Sequence, residues 1–394
     1  MTGVTANQPS GAIELNQNLD RRYCIFMPVT MPHKEFLETR RFSALDGLRG
    51  ISILLVFTAH PKYHEFWPMF HGSSGVTIFF VLSGFLITTL LLREEKTQGK
   101  IDLTGFFLRR LFRIYPVFIA VFLVYCVLIF VLGLQADRRS GFETNIPYFL
   151  LFFPEHSMFF NLSNVAIPFN GAWSVGIEEK FYLVWPILGF VILAGIRWAR
   201  PYVLMALILL FSASSFLPEW GPVFAPYTHI ALGSLVAVVL NSKRGFAFLS
   251  HAGRPRVIGA IVAATLALQF GTPEVLRSLY VVYGFVVAAL VAGVVTARSS
   301  DTKFLSSRFL VYTGKLSYVL YLVHNFGLNA AEAIIPANLE LFGSILATVL
   351  GISASYLAAA AINKFYEEPL RRFGVTLAER RRAKISSTAS VEKI

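Results

Sequence analysis

The sequence predicts an all-α protein, a polytopic integral-membrane bundle of about ten transmembrane helices. Three observations carry that prediction. Of 394 residues, 55% are apolar and only 15% are charged, against about 25% charged in a typical soluble protein. A globule of this size needs more charge to cover its surface, which excludes the soluble, disordered and collagen-like classes. Ten apolar segments recur along the chain, most of them with the ~17–25 residues that cross a hydrocarbon core as a helix. With the amino-terminus inside, the inner segments hold 28 of the 35 Lys and Arg residues and the outer loops hold four: Lys62, Arg138, Arg139 and Arg277. That asymmetry is the positive-inside pattern. The net charge of +12 is therefore assigned to topology, and no nucleic-acid partner is expected. Cys24 and Cys126 form no disulfide framework, and neither has metal-ligand spacing.

In chain order, residues 1–41 are polar and contain no apolar core resembling a signal peptide, so they are expected as a flexible cytoplasmic arm. A transmembrane domain follows over 42–366. Its spans are expected at about 45–62, 74–92, 106–134, 172–196, 201–217, 223–241, 255–270, 275–297, 309–332 and 338–365. Asp46 and Arg49 interrupt the first, and the fifth and seventh are short. The stretch 146–160, IPYFLLFFPEHSMFF, is short, is broken by Pro154, and carries Glu155 and His156. One more crossing there would invert every later loop and put most basic residues outside. It is expected as a re-entrant or interfacial piece of a long outer loop. Residues 367–394, rich in Arg, Lys and Ser, are expected as a basic cytoplasmic tail meeting anionic membrane lipid. The chain has no solenoid repeat and no Gly-rich phosphate loop.

Charged residues inside spans cost a few kcal/mol each at the bilayer centre and so point to function. The first span reads LDGLRGISILLVFTAH. Arg49 and His60 are eleven positions apart, about 1100° of helix, which puts them on one face and roughly 16 Å apart along the axis. The second, GSSGVTIFFVLSGFLITTLLLREEK, holds Gly75, Ser83 and Gly84, small residues that also allow close helix packing. The third begins FFLRRLFRIYP. Arg109 and Arg113, or Arg110 and Arg113, share a face at its inner end, where guanidiniums can grip a phosphate. The fourth begins NGAWSVGIEEKFYLVWP, and Glu178 and Tyr182 share a face in the outer half of the membrane, the depth expected for His60. A buried carboxylate needs a partner; the candidates are His60 across the bundle and Lys180 nearby. Glu179 is expected on another face. In the ninth span Ser317, Tyr321 and His324 lie on roughly one side, and His324 alone reads as readily as a core histidine.

These stretches, together with YEEPLRRF, resemble the membrane acyltransferase-3 family of bacterial O-acyltransferases. Six matching segments occur in the family's order from about residue 41 to 373. The family's Arg, ten residues, then His falls on Arg49 and His60, and its paired Arg on Arg110 and Arg113. Its Trp-Ser, Glu and Phe-Tyr pattern falls on Trp173, Ser174, Glu178, Phe181 and Tyr182. Thr77 stands where many relatives are expected to carry an acidic residue. The hydrolase-like domain fused in some relatives is not expected here, so the chain reads as the stand-alone form.

The resemblance implies a multi-pass enzyme of the bacterial inner membrane with both termini cytoplasmic. Its donor is cytoplasmic acyl-CoA, acetyl-CoA above all, with no metal. Its acceptor is a hydroxyl of a carbohydrate, on a surface or lipid-linked glycan. On that reading His60, Glu178 and Arg49 are catalytic, with His60 the general base and Glu178 orienting it. Arg110, Arg113 and Arg109 bind the donor. Asp46, Ser83, Trp173, Ser174, Tyr182 and His324 support the site. Direct transfer and an acyl-enzyme on Ser83 or Ser174 both stay open. A small-molecule acceptor, such as a macrolide or a signalling oligosaccharide, is the alternative within the same chemistry. A proton-coupled transporter is the alternative of another class, disfavoured because no repeated half is visible.

Overall fold

A computed structural model describes residues 30–61, 66–155, 167–217, 221–272, 275, 279–336 and 339–391. Its helices, in order, are α1 (His33–Glu38), α2 (Ser43–Phe57), α3 (Ser74–Gln98), α4 (Leu103–Cys126), α5 (Arg139–Leu150), α6 (Trp173–Ile187), α7 (Arg200–Ser214), α8 (Gly221–Asn241), α9 (Lys243–Leu249), α10 (Pro255–Gln269), α11 (Tyr280–Thr296), α12 (Arg308–Ile334), α13 (Glu340–Ile362) and α14 (Glu368–Val391). Among the described residues there is no strand. The protein is an all-α membrane bundle, and each of the ten expected apolar segments overlaps one of these helices. Among the described residues, four helical stretches, Trp67–Gln98, Leu103–Val131, Val223–Asn241 and Glu340–Lys384, are long and apolar enough to cross a membrane by length and composition alone.

Helix α3 is the central strut. Its face is buried almost throughout, with Phe80, Val81, Phe85, Ile87 and Leu91 at 0–1% exposure. It lies against α8 because both helices carry glycine at the crossing: a Cβ on Gly84 would collide with the Ile230 carbonyl, and one on Gly233 with that of Val81. Small residues let helix backbones approach where lipid offers no hydrophobic drive for association. The same device joins α2 to α12, where Gly50 faces the Leu310 carbonyl and Gly314 that of Asp46. Helices α2, α3, α4, α6 and α12 thereby surround one interior space.

Three details differ from the sequence reading. Helix α2 stops at Phe57, and the amides of Thr58 and Ala59 bond back three residues to Leu55 and Val56. His60 is thus displaced from the face that helical extrapolation gives it. Within the segment expected as an arm, residues 33–38 form α1, with Phe36 at 3% exposure against Phe42 and Phe246. The Met31 amide donates to the Thr296 carbonyl at 2.8 Å. Residues 1–29 lie outside the described residues. Beyond residue 366 the chain continues as α14, reached from α13 through a π-helical turn at Asn363–Glu367. It packs along α4, with Phe373 5.3 Å from Phe112 and Arg381 3.3 Å from Asp102.

Of the stretch 146–160, residues up to Leu150 belong to α5, and Phe152 turns the chain in the left-handed region at φ 57°. Residues 156–160 lie outside the described residues. A buried ion pair sits at the other end of α3. Glu95 takes both terminal nitrogens of Arg200 at 2.7 Å, while Arg200 Nε donates to the Gly189 carbonyl at 2.6 Å. This cross-link ties α3, the π-helical turn after α6, and α7 into one rigid end.

Candidate active site

A cavity of about 730 Å³ occupies the space between α2, α3, α4, α6 and α12. Its mouth is basic, lined by Arg40, Arg41, Arg93, Lys315 and Arg371 with Asp46, Glu367 and Glu368 among them. Deeper in, Arg49, Arg110 and Arg113 converge with Ser83, Glu178, Glu179 and Tyr182, and Phe79, Ser174, Ser317 and Tyr321 also line the space.

Helix geometry explains the grouping. Ser174, Glu178 and Tyr182 are four residues apart along α6 and so share one face. That face is turned inward by ties on its flanks. Trp185 Nε1 donates to Thr88 Oγ1 on α3 at 2.9 Å. On another face, Lys180 pairs with Glu155 and donates to the Phe152 carbonyl at 2.5 Å. Within the cavity, Tyr182 donates to Glu178 Oε2 at 2.8 Å and Ser83 reaches the same oxygen at 3.0 Å. The Ser83 and Tyr182 hydroxyls are also in contact with each other. One carboxylate oxygen thus gathers two hydroxyls from two helices.

The Arg110 guanidinium lies 5.3 Å over the Tyr182 ring and 5.8 Å from that of Phe106. Neither Arg49 nor Arg113 makes an ion pair or a hydrogen bond among the described residues, although the charges of Arg49, Arg113 and Glu178 lie close enough to interact. A guanidinium on a cavity wall presents its N–H groups in a fork that matches the oxygens of a phosphate or carboxylate.

Several expected placements are corrected. Glu178 has its partners in Ser83 and Tyr182, and neither His60 nor Lys180 bonds to it. Glu179, expected on another face, also lines the cavity. Arg109 is turned away and bonds Glu94 at 3.3 Å. Asp46, by contrast, lines the cavity mouth and is engaged by Arg41, with Nη2 at 2.6 Å. Trp173 lies outside the cavity with its ring 5.9 Å from Phe80. His60 and His324 lie beyond its inner end as a pair of rings 4.5 Å apart.

Each of these histidines has Nδ1 against a backbone carbonyl, His60 at 3.0 Å from Val56 O and His324 at 2.7 Å from Tyr321 O. A carbonyl can only accept, so Nδ1 carries the proton and Nε2 is the basic nitrogen of each neutral ring. Among the described residues, no group of three or more His, Cys, Asp or Glu could hold a metal ion.

Sequence reasoning missed the Glu155–Lys180 and Glu95–Arg200 pairs, whose partners are 25 and 105 residues apart. It also missed Phe79 and Tyr318, which look like ordinary core residues in a span. Tyr318 donates to the Ile114 carbonyl at 2.7 Å and lines the cavity.

The acyltransferase-3 family profile, described as an acyltransferase domain, matches residues 42–364. The peptidoglycan O-acetyltransferase of Listeria monocytogenes is 24% identical over 84% of the chain and 56% of its own length. A Bacillus subtilis protein provisionally named a peptidoglycan O-acetyltransferase is 28% identical over 87% of the chain and 57% of its own length. A Staphylococcus aureus protein provisionally named an O-acetyltransferase is 25% identical over 89% and 60%. The chain thus spans less than two thirds of the length of these curated relatives. No solved structure matches it. With the family profile covering helices α2, α3, α4, α6 and α12 around the cavity, the chain belongs to the acyltransferase-3 family.

Proposed function

We propose that this protein moves an acetyl group from acetyl-CoA to a sugar hydroxyl of a cell-wall or other surface glycan. In this reading the basic mouth faces the cytoplasm of a bacterial inner membrane and the acceptor approaches from the opposite end. The observation that carries it is the set of three guanidiniums, Arg49, Arg110 and Arg113, on one cavity whose mouth is ringed by further cations. A polyanionic donor whose reactive end lies at the tip of a long arm fits such a funnel, with its phosphates among the arginines and its thioester deeper in. The curated relatives named for O-acetyl transfer supply the acyl group and the glycan acceptor.

The chemistry needs one base. His60 Nε2 takes the acceptor hydroxyl proton as the oxygen attacks the thioester carbon. The C–S bond breaks, an ester C–O bond forms, and the departing coenzyme thiolate takes the proton that His60 holds. The Val56 carbonyl holds the ring in the tautomer this step requires. Glu178, which makes no bond to His60, plays a different part and fixes the Ser83 and Tyr182 hydroxyls where the thioester comes to rest. The test is transfer of label from [acetyl-¹⁴C]acetyl-CoA to solubilised peptidoglycan fragments by purified protein in nanodiscs. Base-labile label on the glycan is expected. No label above a protein-free control overturns the reading.

A further inference from the structure

The cavity and the histidine pair are separated by a single layer of side chains. Helix α3 carries Ser83 and, one turn toward the histidines, Phe79, about 6 Å along the axis. Helix α12 carries Tyr321 and, about 4.5 Å further on, His324. Helix α6 begins at this same level, with Ser174 in its first turn. Phe79, Ser174 and Tyr321 line the inner end of the cavity, whereas Phe57, His60 and His324 do not. The Phe79 and Tyr321 rings meet edge to face with centroids 6.4 Å apart, and the Tyr321 ring is 5.8 Å from that of His324.

We propose that this layer is the acyl-length filter of the enzyme, with Phe79 its specificity-determining residue: it admits an acetyl group to the His60 side and excludes longer acyl chains. The inference rests on the proposed donor and acceptor sides. The thioester carbon must be reached both from the guanidinium side, where the coenzyme is held, and from the His60 side, where the hydroxyl loses its proton. The acyl group therefore lies within the layer when the C–S bond breaks and the C–O bond forms.

Two of the three side chains are fixed. Ser174 donates to the Tyr321 hydroxyl at 2.7 Å, and the Tyr321 carbonyl is held by His324 Nδ1. Phe79 has no polar tether and is only half-buried, so its ring alone sets the width of the gap without a hydrogen bond at stake. A methylene too many in a shaped apolar slot changes transfer by roughly 10–200-fold, enough to separate acetyl from butyryl.

The experiment compares acetyl-CoA and butyryl-CoA as donors to solubilised peptidoglycan fragments, for wild type, Phe79→Leu and Phe79→Ala in nanodiscs. The ratio of butyryl to acetyl turnover should rise at least roughly tenfold in Phe79→Ala and by less in Phe79→Leu, with acetyl transfer retained in the milder variant. If wild type transfers acetyl and both variants keep the wild-type ratio, Phe79 is not the filter and the inference is overturned. A wild type that prefers butyryl overturns it equally. If Phe79→Ala does not insert, Phe79→Leu decides alone. Absence of any acyl transfer by wild type is a separate result: it removes the functional reading, and the filter with it.

Discussion

The guanidinium of Arg110 lies over Tyr182 with its carbon 5.3 Å from the ring centre, and Tyr182 in turn donates to Glu178. The cationic wall of the cavity and the hydroxyl cluster are therefore one connected unit. Arg110 is held by aromatic faces on Phe106 and Tyr182 rather than by a carboxylate, which leaves its N–H groups available to an incoming anion.

The first expected outcome concerns that anion. Arg113→Ala and Arg49→Ala each weaken acetyl-CoA binding by about 10–100-fold, the worth of one charge-assisted contact. Arg109→Ala, whose side chain is spent on Glu94, changes it much less. Isothermal titration on protein in detergent reads all three. Equal losses for Arg109 and Arg113 would place the phosphates outside the cavity.

His60→Ala is expected to leave the protein inserted and acetyl-CoA binding intact while lowering transfer by ~10²–10⁴-fold. Single-turnover transfer on pre-bound donor separates the two effects. A variant that binds donor and turns over like wild type removes His60 from the chemistry.

Glu178→Gln keeps an acceptor oxygen for Tyr182 and Ser83 but loses the charge beside Arg49 and Arg110. Donor binding should tighten or stay unchanged, because a competing anion has gone, while turnover falls as the hydroxyl cluster loosens. Paired measurements of donor Kd and kcat check this; weaker donor binding with unchanged kcat contradicts it.

The two contacts that Glu95 makes give a stability contrast. Arg200 is 3% exposed and bonds Glu95 bidentately, so Arg200→Ala leaves a buried carboxylate and should cost about 3–5 kcal/mol. Arg197 touches the same Glu95 from a position 57% exposed, and Arg197→Ala should cost less than about 1 kcal/mol. Thermal unfolding in a fixed detergent ranks them; equal shifts in Tm would show that the pair is not a structural clamp.

How far the sequence reached is best seen along α6. The i,i+4 spacing of Ser174, Glu178 and Tyr182 put them on one face, and the face was legible because helical periodicity is local. What that face meets was not. Ser83 lies 95 residues from Glu178, and although the family resemblance put both in one site, no local spacing shows that this hydroxyl reaches that carboxylate. The same limit misplaced His60. The helical wheel is sound while the helix lasts, but α2 ends at Phe57, so the last three residues to His60 follow a turn and carry the ring to His324. Arg109, Arg110 and Arg113 were legible as a cationic cluster, yet their division into a surface ion pair and cavity-lining cations depends on Glu94 and Tyr182, contributed by neighbouring helices.

On the proposed reading, donor and acceptor are served from opposite ends of one bundle, with the arginine cavity on the donor side. Proteoliposomes containing the protein in one orientation, with the Arg40–Arg41 end confirmed inside by impermeant labelling of a cysteine at position 98, test it directly. With [acetyl-¹⁴C]acetyl-CoA sealed within and peptidoglycan fragments outside, labelled ester is expected on the external fragments, and its loss is expected in Arg113→Ala at low donor concentration. Label appearing only when acetyl-CoA is supplied from outside, or transferred equally from either side, would contradict it.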